Sequence, residues 1–226
     1  MPLLGLAAML LSFDVVPEAI AEHDDWHTHE HLPERLSIPG FIRGSRWVAL
    51  EGQPRYLVVY EVAELATLAS EAYLQRLNNP TPWTSEIMPS YRGMSRGFCA
   101  VTGSFGFGLG HVALLLRFRP LAAAESQLRT WLAGELLEQL PARSGIGSVH
   151  LFEGALTPQM TNEQRMRGAD AGVDWAILVT GYSHDALALL LNAELGAPRL
   201  AEKGAVGVQG AIYRLDYALS HDEVEI

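Results

Sequence analysis

Hydrophobic and polar positions run along this chain in the same order twice. Leu6-Ala-Ala-Met-Leu-Leu-Ser-Phe-Asp-Val-Val16 is an apolar run of strand length. His111-Val-Ala-Leu-Leu-Leu-Arg-Phe-Arg-Pro-Leu121 repeats it 105 residues later, matching Ala8, Leu10, Leu11 and Phe13 with Ala113, Leu115, Leu116 and Phe118. Without a gap, the same offset pairs Ala19 with Ala124, Trp26 with Trp131, Glu30 with Glu135, Leu32 with Leu137 and Gly40 with Gly145.

Each copy reads element by element. After the first strand comes a helix, whose first turn suits Pro17 because the missing N–H would be unpaired there anyway. Strands follow over 42–50 and 55–63, joined by the turn Glu51-Gly-Gln-Pro54. A second helix begins near Glu64, with Leu65, Leu68, Ala69, Ala72 and Tyr73 at helical spacing. Residues 78–83 break it, Thr81-Pro82 caps a short further helix, and a strand over 94–102 closes the unit. The second copy predicts strands near 111–119, 147–155, 173–182 and 206–218 and helices near 123–140 and 184–196.

The order is βαββαβ, the ferredoxin-like unit, in two repeats spanning 1–104 and 105–226. The second hairpin carries 14 additional residues within Gly154–Gly172, read as an exposed or mobile loop. The glycine-rich stretch Gly103–Gly110 reads as a linker, since no helix N-terminus follows it to make a phosphate loop. Each unit leaves one sheet face apolar and uncovered, and two such faces bury each other. The expected fold is therefore α+β: tandem ferredoxin-like units forming an intrachain dimeric α/β barrel, with antiparallel sheets facing one another and helices outside. A homodimer through further surfaces is compatible with this plan.

Composition narrows the partners. Hydrophobic residues make up 49% of the 226 and charged residues 19%, enough for a sizeable core and against general disorder. A net charge of −10 with no basic run argues against nucleic acid. Cys99 has no second cysteine to pair with and reads as a small buried strand residue, which fits a cytoplasmic protein. The apolar start lacks a basic leader region and is too short to span a bilayer, so it reads as a core strand and no membrane partner is expected.

Chemistry concentrates in His23–Phe41, where four of eight histidines fall within nine residues. The other copy serves as an internal control. Leu128, Leu132 and Leu136, with Trp131 beside them, form the stripe by which that helix packs on its sheet. The aligned residues are His23, His27, His31 and Trp26, so three inward leucines have become three inward imidazoles. His29 aligns with Gly134 and points to solvent, while Glu30 and Glu34 fall near the histidine face. Buried imidazoles without partners are costly, so the cluster asks for water, carboxylates, a ligand or a metal.

Three readings stay open at this point. The helix could tilt and leave the histidines at an exposed edge without chemistry. A polar pocket could use one histidine as general acid or base, since imidazole titrates near neutrality. A metal could sit on His27 and His31, four apart on one face, with Glu30, Glu34 or His23 assisting. Pro33 is expected to kink or end the helix just after His31. Trp47, Tyr56, Tyr60 and Trp83 are candidates for an aromatic lining as well as for plain core. No serine or cysteine nucleophile site can be assembled, His184 reads as a helix-start residue, and His221–Ile226 reads as a solvated acidic tail.

His31-Leu-Pro33 followed by Pro39-Gly40-Phe41, with aromatic Trp26 upstream, is similar to the pattern that closes the first helix of EthD-like proteins, of the dimeric α/β barrel superfamily. The resemblance implies His31 as the pocket histidine. The reading it supports is a small-molecule enzyme, a lyase or cofactor-independent monooxygenase. It would move a proton in dehydration, decarboxylation or cofactor-free oxygenation of an aromatic or polyketide-like substrate. His31 and His27 would be catalytic, Trp26, His23, Glu30 and Trp47 would bind the substrate, and no cofactor or metal would be needed. The second half has Leu136, Glu138 and Ser144 where the motif needs histidine and prolines, so one site per chain is expected. The rivals are a non-catalytic ligand-binding or assembly module, and a metal- or haem-dependent enzyme.

Overall fold

Strict alternation of side chains in the first strand decides the architecture. In a computed structural model describing residues 3–157 and 159–224, β1 (Ala7–Val15) sends Ala7, Met9 and Phe13 to one apolar cluster and Ala8 and Leu10 to another. The first cluster lies under helices. The second fills the inside of a barrel.

The first half continues with α1 (Ile20–Trp26), a π-helical turn (His27–His31) and α2 (Leu32–Leu36), then β2 (Phe41–Glu51) and β3 (Tyr56–Val62). It closes with α3 (Glu71–Asn78), α4 (Pro82–Ile87) and β4 (Tyr91–Gly106). The second half comprises β5 (Val112–Pro120), α5 (Glu125–Trp131), β6 (Ile146–Leu156), α6 (Asn162–Arg167), β7 (Trp175–Gly181), α7 (His184–Asn192), α8 (Ala197–Glu202) and β8 (Ala205–Ser220).

The eight strands close an antiparallel barrel in the order β1-β3-β2-β8-β5-β7-β6-β4. The two sheets thus join at both edges, where Trp47 faces Leu215 across β2 and β8 and Val101 faces Phe152 across β4 and β6. That junction requires long strands, and it shortens the linker read from the glycine-rich stretch: Gly103 to Gly106 are ladder residues of β4 paired with β6, and residues 107–110 make the connection toward β5. Closure leaves no open edge to template association. The lumen is filled by side chains such as Leu10, Trp47, Leu57, Leu115, Phe152 and Tyr213, so it is core rather than channel.

The helix of the histidines differs from expectation in one respect. It neither ends nor breaks at Pro33 but runs on to Leu36, because Pro33 occupies the first turn of α2 and interrupts no needed donor. The π turn is closed by the Leu32 amide donating to the His27 carbonyl, five residues back. Leu132–Leu136 forms the same turn in the other half, with the Leu137 amide on the Leu132 carbonyl and Glu138 at the position aligned with Pro33. The wide turn therefore belongs to the repeat and not to Pro33. Gly40 and Gly145 end the two segments at the same offset, both at φ near 90°, a conformation that glycine adopts without strain.

Two smaller differences have local causes. The helix expected from Glu64 is split, because Ser70 adopts an extended conformation and caps a new helix by accepting the Tyr73 amide. Part of the acidic tail folds as a turn over His221–Glu223 capped by Ser220, and Glu225 and Ile226 lie outside the described residues. Among the described residues, no helix is long and apolar enough to cross a membrane.

Candidate functional site

His23, His27 and His31 all turn inward from one helix face onto the outer surface of the first-half sheet, and their exposures are 0%, 2% and 8%. The tilted-helix reading, with the histidines at a solvent edge, is therefore set aside. Their rings form a column, with centroids 5.5 Å apart between His23 and His27 and 5.6 Å between His27 and His31. His31, at the end of the column, is the most exposed of the three.

The three imidazoles are not equivalent. His23 is satisfied: its Nδ1 lies 3.0 Å from the Asp24 carboxylate and its Nε2 3.2 Å from the Tyr91 hydroxyl. Asp24 also accepts from the Tyr56 hydroxyl at 2.8 Å, which places Tyr56 in this support rather than in a pocket lining. By contrast, Nδ1 of His27 and Nδ1 of His31 are buried without a hydrogen-bond partner, as is the Tyr60 hydroxyl. Buried polar atoms of native proteins are nearly always paired, so these mark a polar site that a water or a ligand group would complete.

Those atoms belong to residues that line one cavity of about 30 Å³. Met9, Tyr60 and Tyr91 contribute the sheet side, Tyr73 comes from α3, and Glu163 and Arg167 come from α6. This is space for water rather than for an organic molecule. Burial, reinforced at His31 by the Arg35 guanidinium and at His27 by His23, holds both imidazoles well below the usual histidine range. They are neutral at physiological pH. Burial likewise pushes the Tyr60 phenol up, so it stays a neutral donor.

The other expected binding residues lie elsewhere. Trp26 is fully buried and packs against His31 at 4.3 Å between ring centroids, behind the column and away from the cavity. Glu30 does not face the cavity: it accepts from Trp26 Nε1 at 3.1 Å, Thr81 at 2.5 Å and Thr84 at 3.3 Å, latching the helix to α4. We expect Glu30→Ala to cost about 2 kcal/mol in chemical denaturation, because it strands buried donors; an unchanged midpoint would refute the latch. Trp47 is inside the barrel, on the opposite face of the sheet, with Nε1 on Ser45 at 2.9 Å. Trp83 reaches Glu22 at the surface. His29 is exposed, as expected. Cys99 is buried, and burial pushes its thiol up to about 12, so it is no nucleophile at neutral pH. Among the described residues, no group of three or more histidine, cysteine or carboxylate side chains is arranged to hold a metal ion.

Several cavity residues were not legible beforehand. Arg35 extends the series 23, 27, 31 by four more residues, a spacing that could have marked it. Glu163 could not have been found that way. It lies in the additional segment of the second half, most of whose described residues are exposed as expected, but which folds in part as α6 and buries Thr161, Glu163 and Gln164 against the first half. Glu163 meets Arg35 at 2.5 Å and Gln164 meets Arg96 at 2.9 Å.

No protein-family model matches the chain, and no curated protein matches it in sequence. Its fold, however, is shared along the whole length. A protein described as anthrone oxidase-like superposes with a TM-score of 0.66 at 11% identity, covering 99% of this chain and 97% of that one. A candidate monooxygenase from Fusobacterium nucleatum gives 0.60 at 9% identity, with 96% and 95% covered. Another from Lactobacillus acidophilus gives 0.56 at 10%, with 95% and 96% covered. At such identities the likeness speaks for architecture: the chain has the fold of the dimeric α/β barrel proteins, assembled within a single polypeptide.

Proposed function

We propose that the protein is a small-molecule enzyme in which His31, assisted by His27, takes a proton from an aromatic or polyketide-like substrate between the helix and the outer sheet face. The observation that carries this reading is the pair of buried imidazoles whose Nδ1 atoms have no partner beside an aromatic and methionine-lined cavity. The lowered pKa values keep both imidazoles in the free-base form at neutral pH, ready to accept a proton, at some cost in basicity. The buried, neutral Tyr60 hydroxyl is a donor available to the oxygen where negative charge would gather.

Proton removal from an activated carbon is sufficient chemistry for cofactor-free oxygenation, because the resulting carbanion can give electrons to dioxygen. With an anthrone, one O₂ is consumed and an anthraquinone and one water result. The likeness to a protein described as anthrone oxidase-like supports trying this substrate class. The cavity is far below the ~300 Å³ or more that small-molecule sites offer, so substrate entry requires it to widen. Met9, Met88 and Met94 supply unbranched, adaptable walls.

The test is oxygen uptake with anthrone. Wild type should consume oxygen and form the quinone, and His31→Leu should fall about 100-fold or more toward the uncatalysed rate. Tight binding of anthrone without turnover would support a ligand-binding module instead.

A further inference from the structure

The segment over the cavity is attached in an unusual way. Residues 161–172 come from the second half, yet they cover the site of the first. Their apolar side chains do little of the holding: Met166 is 37% exposed, while buried Thr161, Glu163 and Gln164 are polar. The attachments include the Arg35–Glu163 pair, the Arg96 contacts with Gln164 and Asp170, two hydrogen bonds from Asn162 to Asn78, Arg167 on the Met88 sulfur, Ser95 on the Gly172 carbonyl, and a backbone bridge from Ala171 to Met94 and Arg96, all polar. Buried ion pairs contribute little net stability, since desolvation offsets their attraction. Elements held without apolar burial belong to the low-stability end of a structure, from which lids are drawn. Gly168, at φ 96°, ends α6 with open space around it.

Charge divides unequally across this contact. The segment carries Glu163, Arg165, Arg167 and Asp170; Arg165 is exposed and bonds Asn162 within the segment, and Arg167 and Asp170 pair with each other at 2.8 Å, which leaves Glu163 as the uncompensated charge that meets the body. Among the described residues, the body beneath contributes Arg35 and Arg96, and one carboxylate of its own to Arg35, that of Glu34 at 3.0 Å. Lifting the segment would therefore remove Glu163 from Arg35 and leave a basic mouth beside His31. Arg35 keeps Nη1 on Glu34, and the Nη2 group released from Glu163 is a charge-assisted donor suited to another carboxylate.

We propose that residues 161–172 are a displaceable lid and that the Glu163 carboxylate holds, on Arg35, the place of an acid group of the substrate. The substrate class is then an aromatic molecule bearing a carboxylate or phenolate, which exchanges with Glu163 as it enters. This rests on the reading of the cavity as a substrate site, but its test does not depend on turnover.

The experiment is a fluorescence titration with anthracene-2-carboxylate and its neutral counterpart anthracene-2-carboxamide. Three proteins are compared: wild type, Glu163→Gln, and Arg35→Met/Glu163→Gln, which removes both charges together so that neither is left stranded. Wild type should prefer the carboxylate. Glu163→Gln, freed of its internal competitor, should bind the carboxylate about 10-fold more tightly than wild type does. The double variant should bind both probes alike, with the preference lost. An unchanged or weakened carboxylate affinity in Glu163→Gln would overturn the exchange, and so would failure of that variant to bind either probe. A carboxylate preference that survives in the double variant would overturn the role of Arg35. Binding as expected without oxygen uptake would leave this inference standing and sink the proposed reaction; the reverse pattern would do the opposite.

Discussion

Replacing His27 and His31 together with leucine is expected to raise the unfolding midpoint by about 5 °C at pH 7, and by more at pH 5. The other half of the molecule already makes this choice, with Leu132 and Leu136 at the aligned positions of the same π turn. Two buried nitrogen atoms now lack partners, and each such atom costs about 1–3 kcal/mol. Leucine removes that cost and adds apolar contact with Met9 and the surrounding aromatic rings. The pH dependence follows from the imidazoles' lowered pKa values. Below the ordinary histidine value of 6.5 the unfolded chain binds protons that the folded chain does not. Wild type therefore loses stability as pH falls through that value, by up to about 1.4 kcal/mol per imidazole per pH unit. His23 and His150, also shifted down, are present in both proteins and cancel in the comparison. Melting curves at the two pH values check the prediction. A variant that melts lower than wild type at both would show that the histidines hold the fold rather than burden it.

The second large effect is expected at Arg35. Arg35→Met leaves Glu163, 2% exposed, without its cation, and breaking one partner from a buried pair costs about 3–5 kcal/mol. The loss should fall at the low end of that range, about 3 kcal/mol, because a lid can lift and rehydrate the carboxylate. Arg35→Met/Glu163→Leu should recover most of it by filling the space with apolar atoms. Denaturant midpoints distinguish the outcomes. If the double variant is no more stable than the single one, the pair is not the connection that fastens α6.

The architecture was legible because it was written twice. A single βαββαβ pattern leaves strand order open, but two copies at one offset required each sheet to cover the other, and the closed barrel follows that logic. The internal control also located the inward histidines, since a position that packs leucine in one half packs imidazole in the other. What escaped the sequence was long-range. Nothing local to Trp47 says that its face of β2 is the lumen, because alternation assigns residues to two faces without naming which is which. Glu30 looked like a site residue from its place beside the histidines, yet its partners Thr81 and Thr84 lie 51 and 54 residues away. Glu163 is 128 residues from Arg35, on a segment whose polar composition reads as a loop until the cations it meets are known.

The central claim is that the unpartnered imidazoles are kept for proton transfer. It is tested most directly by exchange of the C10 hydrogens of anthrone in heavy water without oxygen, where no later step interferes. The account predicts that wild type speeds deuterium incorporation well above the buffer rate and that His31→Leu, though folded and more stable, loses about 100-fold or more of that acceleration. Incorporation at the buffer rate with wild type, or an undiminished rate in His31→Leu, would contradict it.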